Sequence, residues 1–178
     1  LKKYGIDIGD TEKLKELSYH CFLCGKCTEV CPIGIDGRDY ILKLRRENVR
    51  EEEGTFREKG YGMLLKEKKD YIYKNYRNAT GKCILFPGCN FPSFYPKTMK
   101  KLVKLLKEHG IGVAYDCCGK PIAELGLEVD EKRIIQRIND EFEKRGVEEV
   151  IMLCPNCYTF LKPYLKVKVT DIYAKLEE

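Results

Sequence analysis

The 178-residue sequence has no tryptophan, three methionines and two histidines, His20 and His109. It also has no long hydrophobic run. The longest uninterrupted apolar stretch, Val150 to Cys154, is far short of the ~20 residues a membrane helix needs. No apolar segment follows Leu1-Lys2-Lys3, so an export signal is not expected. There is no concentrated charge either. The net charge is +5, with 17 basic and 14 acidic residues in 1–80 and 16 and 14 in 81–178. Without a basic block, nucleic acid is not an expected partner. No phosphate loop, dinucleotide fingerprint or nucleophile elbow occurs, so any flavin or nicotinamide is expected on a partner. Abundant Lys and Glu without Trp point towards a thermophile.

What the chain does have is ten cysteines. In an exported mini-protein these would be read as disulfides. In a reducing compartment, clustered cysteines are read as metal ligands or redox thiols. The remaining composition, 43% apolar and 34% charged, is that of a folded globular chain.

The first 80 residues read as helices around a Cys-rich loop. Asp10 or Thr11 caps a short helix through Leu14 and Leu17. The loop 21–36 follows. A helix from Asp36 or Gly37 carries Ile41, Leu42, Leu44 and Arg45, and another over 61–76 presents Leu64, Leu65, Tyr71, Ile72 and Tyr76. The character changes at Ala79-Thr80-Gly81. Apolar runs at 83–86, 111–115 and 149–153, and a fourth at 167–170, alternate with helical patterns that open at Pro96, after Asp130 and at Pro155. Such alternation predicts βαβ units and a parallel sheet. The expected organisation is therefore α+β in two domains: an all-α domain over 1–80 and an α/β domain over 81–178. The lysines at 97, 100, 101, 104 and 107 lie opposite the apolar stripe of their helix and read as a solvated face.

The sharpest local signal is Cys21-x2-Cys24-x2-Cys27-x3-Cys31-Pro32. Two-residue gaps let a loop wrap one face of an iron–sulfur cube and present three thiolates to three irons. A zinc site would normally pair one Cys-x2-Cys with a distant second pair. The expected cofactor is a cubane [4Fe–4S] cluster, and the motif resembles that of bacterial-type ferredoxins. In two-cluster ferredoxins the Cys before Pro serves the other cluster, and no second such motif is present here. Cys31 is the favoured fourth ligand, with Cys83 or a cysteine of a partner chain as alternatives.

The second constellation is Cys83, Cys89, Cys117-Cys118-Gly119 and Cys154-Pro155-Asn156-Cys157. All but Cys83 fall after expected strands, and in a parallel sheet those ends share the edge where ligands bind. Gly119 lets two adjacent cysteines turn towards one site, and Cys154–Cys157 sits where a helix begins. A thioredoxin-like dithiol at 154–157 leaves the Cys-Cys-Gly unexplained. A structural zinc site made from four of these thiols is a further alternative. His20 beside Cys21 reads as a loop residue and His109 as the last turn of a helix. Tyr115 and Tyr158 read as packing residues beside the cysteines.

Phe86-Pro87-Gly88-Cys89-Asn90 with Tyr95-Pro96, then Cys117-Cys118-Gly119-Lys120-Pro121, then Cys154-Pro155-Asn156-Cys157 resemble the cysteine-rich CCG domain family over about 85–178. The 35 residues between Cys118 and Cys154 fit that family. The 27 between Cys89 and Cys117 are somewhat few, and Cys83 would give 33. The Pro-Gly-Cys context favours Cys89 as the first ligand.

The family includes the catalytic subunit of heterodisulfide reductase and the iron–sulfur subunits of anaerobic glycerol-3-phosphate and lactate dehydrogenases. Fusion to a helical ferredoxin domain is a family arrangement. The resemblance implies a second, non-cubane [4Fe–4S] cluster on Cys89, Cys117, Cys118, Cys154 and Cys157, and these same residues as the catalytic site. It implies a redox subunit that passes electrons from the cubane to that cluster and reduces a disulfide. The alternative is a non-catalytic module linking a partner dehydrogenase to a quinone or ferredoxin. Expected partners are a flavoprotein, a dehydrogenase or a ferredoxin-type donor, with a disulfide or thiol substrate. The expected location is an anaerobic cytoplasm, with membrane association only through a partner. The family's common form has two CCG domains and two ferredoxin motifs; this chain has one of each.

Overall fold

The computed structural model describes residues 10–56 and 59–177; the opening Leu1-Lys2-Lys3 lies outside them. Asp10 caps α1 (Thr11–Ser18), its carboxylate accepting the Lys13 N–H at 3.0 Å. The Cys-rich loop follows, broken by the single turn α2 (Lys26–Glu29). Asp36 caps α3 (Gly37–Glu51) in the same manner, accepting the Asp39 N–H at 2.9 Å. These side-chain acceptors satisfy backbone donors that a helix start otherwise leaves unpaired.

α4 covers only Gly62–Lys68, shorter than the periodicity over 61–76 predicts. The residues beyond it find partners that a continued helix would deny them. Tyr71 is buried, Tyr76 donates its hydroxyl to Asp116, and Asn75 exchanges both backbone hydrogen bonds with Tyr115. A run of aromatic and β-branched residues has modest helix propensity, so tertiary partners decide its conformation.

The remaining elements are β1 (Cys83–Phe86), α5 (Asn90–Phe94), α6 (Pro96–Glu108), β2 (Gly112–Val113), α7 (Lys120–Glu124), α8 (Glu128–Lys144), β3 (Glu149–Met152), α9 (Pro155–Leu161), β4 (Lys168–Asp171) and α10 (Ile172–Glu177). The short helices α5, α7 and α10 were not anticipated. They are too brief to show a repeating apolar stripe. The fold is α/β, with a four-stranded sheet of order β2-β1-β3-β4 in which every neighbouring pair is parallel.

The continuous apolar run of β1 follows from burial on both faces, the usual state of a parallel strand. Leu85 packs on one side with Met99 and Leu106 of α6, Val113 and Ile151. Its neighbour Phe86, pointing the other way, meets Phe142 of α8 edge-to-face at 6.3 Å. The lysine-bearing side of α6 is exposed, as its pattern predicts.

Backbone contacts divide the chain into two units. One falls within Leu1–Leu65 and Pro121–Val129, the other within Lys66–Lys120 and Asp130–Glu178. The described residues of the first unit are helices and turns; the sheet belongs wholly to the second. Lys66–Thr80, placed with the N-terminal helices by composition, lies in the second unit. No helix among the described residues is long and apolar enough to cross a membrane.

Candidate metal centres

In the first unit, the loop carrying Cys21, Cys24, Cys27 and Cys31 bends through two left-handed residues, Leu23 at φ +52° and Gly25 at φ +79°. That conformation is uncommon for a residue with a side chain. It folds the chain back so that the Leu23 N–H points at Cys21 Sγ, 3.4 Å away. Cys31 Sγ similarly accepts the Ile35 N–H at 3.3 Å. Hydrogen bonds to cysteine sulfur are among the protein's means of tuning an iron–sulfur centre.

Asp36 also accepts the Thr28 hydroxyl at 2.9 Å, which ties α2 to the start of α3. Its carboxyl is held below the usual range by the Asp39 N–H and the Thr28 hydroxyl. Gly37 stands where a Cβ would come within 2.7 Å of Cys27 Sγ, so a sulfur occupies the space a side chain would need.

Arg45, buried on α3, holds the loop from beneath. Its guanidinium donates to the carbonyls of Ser18 (2.8 and 3.1 Å), Cys21 (2.5 Å) and Glu124 (2.6 Å), and it lies over the Tyr19 ring. The sequence places Arg45 on the apolar face of its helix, and a lone arginine there was the available signal. His20 is exposed.

In the second unit, Cys89 follows β1, Cys117 and Cys118 follow β2, and Cys154 and Cys157 follow β3. All five sit past the carboxyl ends of parallel strands. From β1 the chain crosses first to β2 on one side and then to β3 on the other. The crevice between β1 and β3, flanked by the Cys89 and Cys154 loops, is thus the topological switch point where open α/β sheets bind ligands.

Cys83 opens β1 and pairs in register with Glu149, at the opposite end of that strand from Cys89. Burial and the Glu149 carboxylate push its thiol pKa up. Gly88, at φ +73°, brings the backbone against the opposite loop: a Cβ there would lie 2.8 Å from Cys157 Sγ. Gly119, at φ +86°, makes the turn after the paired cysteines against Ile134.

The thiols are linked in series. Cys89 neighbours Cys117, Cys117 neighbours Cys118, Cys118 neighbours Cys157, and Cys157 neighbours Cys154, each close enough to perturb the next. Cys117 and Cys157 hold Cys118 well below the usual thiol range, despite its burial. The Cys157 thiol, joined by the Cys157 and Asn156 N–H groups, lowers Cys154 to about 6. Cys89, Cys117 and Cys157 are raised as the other halves of these pairs, Cys117 to about 12.

Among the described residues, no three His, Cys, Asp or Glu side chains are arranged to hold a single metal ion. A row of five thiols along a sheet edge suits a multi-iron cluster, in which different thiolates bind different irons.

Behind the row lies a group that the sequence reading missed. Asp116 is fully buried and accepts from Tyr76 Oη (2.7 Å), Arg137 Nε (3.1 Å), Arg137 Nη2 (2.9 Å) and the Cys117 N–H (2.7 Å). An acidic residue directly preceding Cys-Cys was the one available hint. At the other end, Tyr71 packs with Cys89 and Cys117, and the Lys68 ammonium lies over the Tyr71 ring. Tyr115 packs against the β1–β2 side of the core, while Tyr158 accepts a hydrogen bond from Lys162 at 2.6 Å. His109 is the exposed cap residue closing α6.

A parallel α/β domain here gathers five cysteines past the carboxyl ends of β1, β2 and β3. Residues 83–162 match the model of the CCG family, described as a cysteine-rich domain. Similar proteins include an uncharacterized iron–sulfur protein of Methanococcus maripaludis, 28% identical over 92% of this chain and 37% of the relative. A fumarate reductase (CoM/CoB) subunit from Methanothermobacter marburgensis is 31% identical over 84% of this chain and 33% of its own length. EtfAB:quinone oxidoreductase of Syntrophomonas wolfei is 27% identical over 90% of this chain and 28% of its own. The chain thus spans about a third of the length of the curated relatives it matches. No solved structure matches it.

Proposed function

We propose that the chain is an iron–sulfur redox module with two clusters. A cubane [4Fe–4S] cluster is held by Cys21, Cys24, Cys27 and Cys31, in a helical ferredoxin-like domain within 1–80. A non-cubane [4Fe–4S] cluster is held by Cys89, Cys117, Cys118, Cys154 and Cys157, in the CCG domain over 81–178. The observation that carries this reading is the linked row of five thiols at the switch point of the sheet. The N–H groups aimed at Cys21 and Cys31 sulfur, and the glycines pressed against Cys27 and Cys157 sulfur, support it.

When bound, such clusters supply one-electron storage and, at the five-cysteine site, iron that a substrate sulfur can approach. The residues supply the frame. Arg45 fixes the Cys21 carbonyl, Asp116 the Cys117 N–H, and Gly88 allows the Cys89 and Cys154 loops to meet. The reaction proposed is reduction of a disulfide: two electrons and two protons cleave one S–S bond and give two thiols. The electrons come from a partner flavoprotein, dehydrogenase or ferredoxin-type donor. Phe22, Val30 and Ile33 stand exposed beside the first loop, apolar surface of a kind that suits a partner.

A second reading is favoured by the relatives named for fumarate reductase and quinone oxidoreductase, of which the chain spans only part. In it, the module carries electrons for a separate dehydrogenase and meets no disulfide itself. Adding disulfide or thiol to the anaerobic protein and recording EPR distinguishes the two. Disulfide reduction predicts a substrate-dependent change in the five-cysteine signal that C118S abolishes. A spectrum indifferent to both substrates overturns it in favour of the carrier.

A further inference from the structure

Lys68, the last residue of α4, places its ammonium at the Cys89–Cys117 end of the thiol row. Its side chain is 13% exposed, unusual for a lysine without a structural reason. It lies 5.1 Å from the centre of the Tyr71 ring and pairs with Glu67 at 2.6 Å, within electrostatic reach of Cys89 and Cys117. Tyr71, 3% exposed, packs directly on Cys89 and Cys117. The one ring thus contacts both the ammonium and the two cysteines.

The carboxylates near this end are accounted for. Glu67 is the ammonium's own partner at the surface, and Asp116 is gripped by Arg137 and Tyr76. The remaining groups beside Lys68 are the Cys89 and Cys117 sulfurs, which are thiolates when they ligate a cluster. At the far end of the row, the Lys120 charge acts on Cys154, and its ammonium donates to Asn156 at the surface.

We infer that Lys68 is a positioning and tuning residue for the five-cysteine centre, a half-buried cation that favours its electron-rich state. The inference rests on the cluster reading of Cys89, Cys117, Cys118, Cys154 and Cys157. Adding an electron makes the cluster and its thiolates one unit more negative. A nearby positive charge in a poorly solvated position stabilises that state more than the oxidised one. Net charge and solvent exposure are among the quantities that set an iron–sulfur potential, and Lys68 bears on both. Screening by salt acts mainly on exposed charges, so the effect persists at high ionic strength.

The test is an EPR-monitored redox titration of the full chain, with iron and sulfide measured on each sample. The five-cysteine signal is identified by its loss in C118S. K68M and K68Q are expected to shift that signal's midpoint potential downward, with iron content unchanged. K68R is expected to restore it. K82M removes a lysine whose side chain is 78% exposed and leaves the potential in place. Where K68M loses iron, K68Q supplies the measurement. A neutral variant with full iron and an unmoved potential overturns the inference, as does a shift of equal size in K82M. Wild-type protein without iron at this site would instead strike the cluster reading itself.

Discussion

Arg137 reaches from α8 and grips both carboxylate oxygens of Asp116, at 2.9 and 3.1 Å, one residue before the paired cysteines. With Tyr76 and the Cys117 N–H on the same carboxylate, the turn that presents Cys117 and Cys118 is anchored from behind. A buried ion pair adds little over a packed apolar pair, but losing one partner strands a charge and costs about 3–5 kcal/mol. R137M is therefore expected to lower unfolding stability by about 3 kcal/mol and to reduce iron at the five-cysteine site. Denaturant unfolding with iron analysis checks this. A loss under about 0.5 kcal/mol, the scale of an ordinary surface substitution, would mean the anchor is idle.

Two glycines offer a matched pair of tests. G88A places a Cβ 2.8 Å from Cys157 Sγ at φ +73°, and G37A places one 2.7 Å from Cys27 Sγ. Each is expected to diminish the cluster beside it and spare the other, read as the selective loss of one EPR signal. Parallel loss of both signals from either variant would point to general unfolding.

Arg45 donates to three backbone carbonyls beneath the first loop. Replacing it with methionine leaves buried acceptors unpaired, at about 1–3 kcal/mol for each group that water cannot reach. R45M is expected to bind less iron at the first motif and to unfold more readily. R45K recovers only part, because one ammonium cannot reproduce the planar fork. Full recovery in R45K would show that charge alone matters there.

Glu149, opposite Lys168 where β3 pairs with β4, has a carboxyl pKa held low by the Thr170 hydroxyl, Lys168 and Lys175, against partial burial. A carboxyl lower in the folded than in the unfolded state contributes stability that is complete above its unfolded pKa. That contribution is lost as pH falls through the folded value. E149Q should therefore unfold at a less acid-sensitive midpoint than wild type across the carboxylate range, measured by thermal melts on the same pH series. Identical pH slopes would remove Glu149 from the account.

The parallel sheet was legible because β1 and β3 are short apolar runs closed by Pro-Gly or Cys-Pro, and α6 and α8 carry regular stripes. The cysteines were legible because Cys-x2-Cys spacing and Cys-Cys-Gly are local patterns. Lys68, Tyr71, Asp116 and Arg137 were not. Lys68, Tyr71 and Arg137 act across long sequence separations, and a lysine ending a helix or a tyrosine in a turn looks the same whether or not a sulfur lies beside it. The same reason misled the expectation for 61–76. A helical stripe and a segment whose aromatics are drawn into the second unit's interior have similar apolar spacing, and only the tertiary partners separate them.

The central claim is that both cysteine sets hold iron. It is tested most directly by iron, acid-labile sulfide and zinc per chain after anaerobic purification, with EPR on the same sample. The account predicts about eight irons and two distinguishable signals, as two four-iron clusters require. Zinc without iron, or about four irons and a single signal that C118S leaves intact, would contradict it.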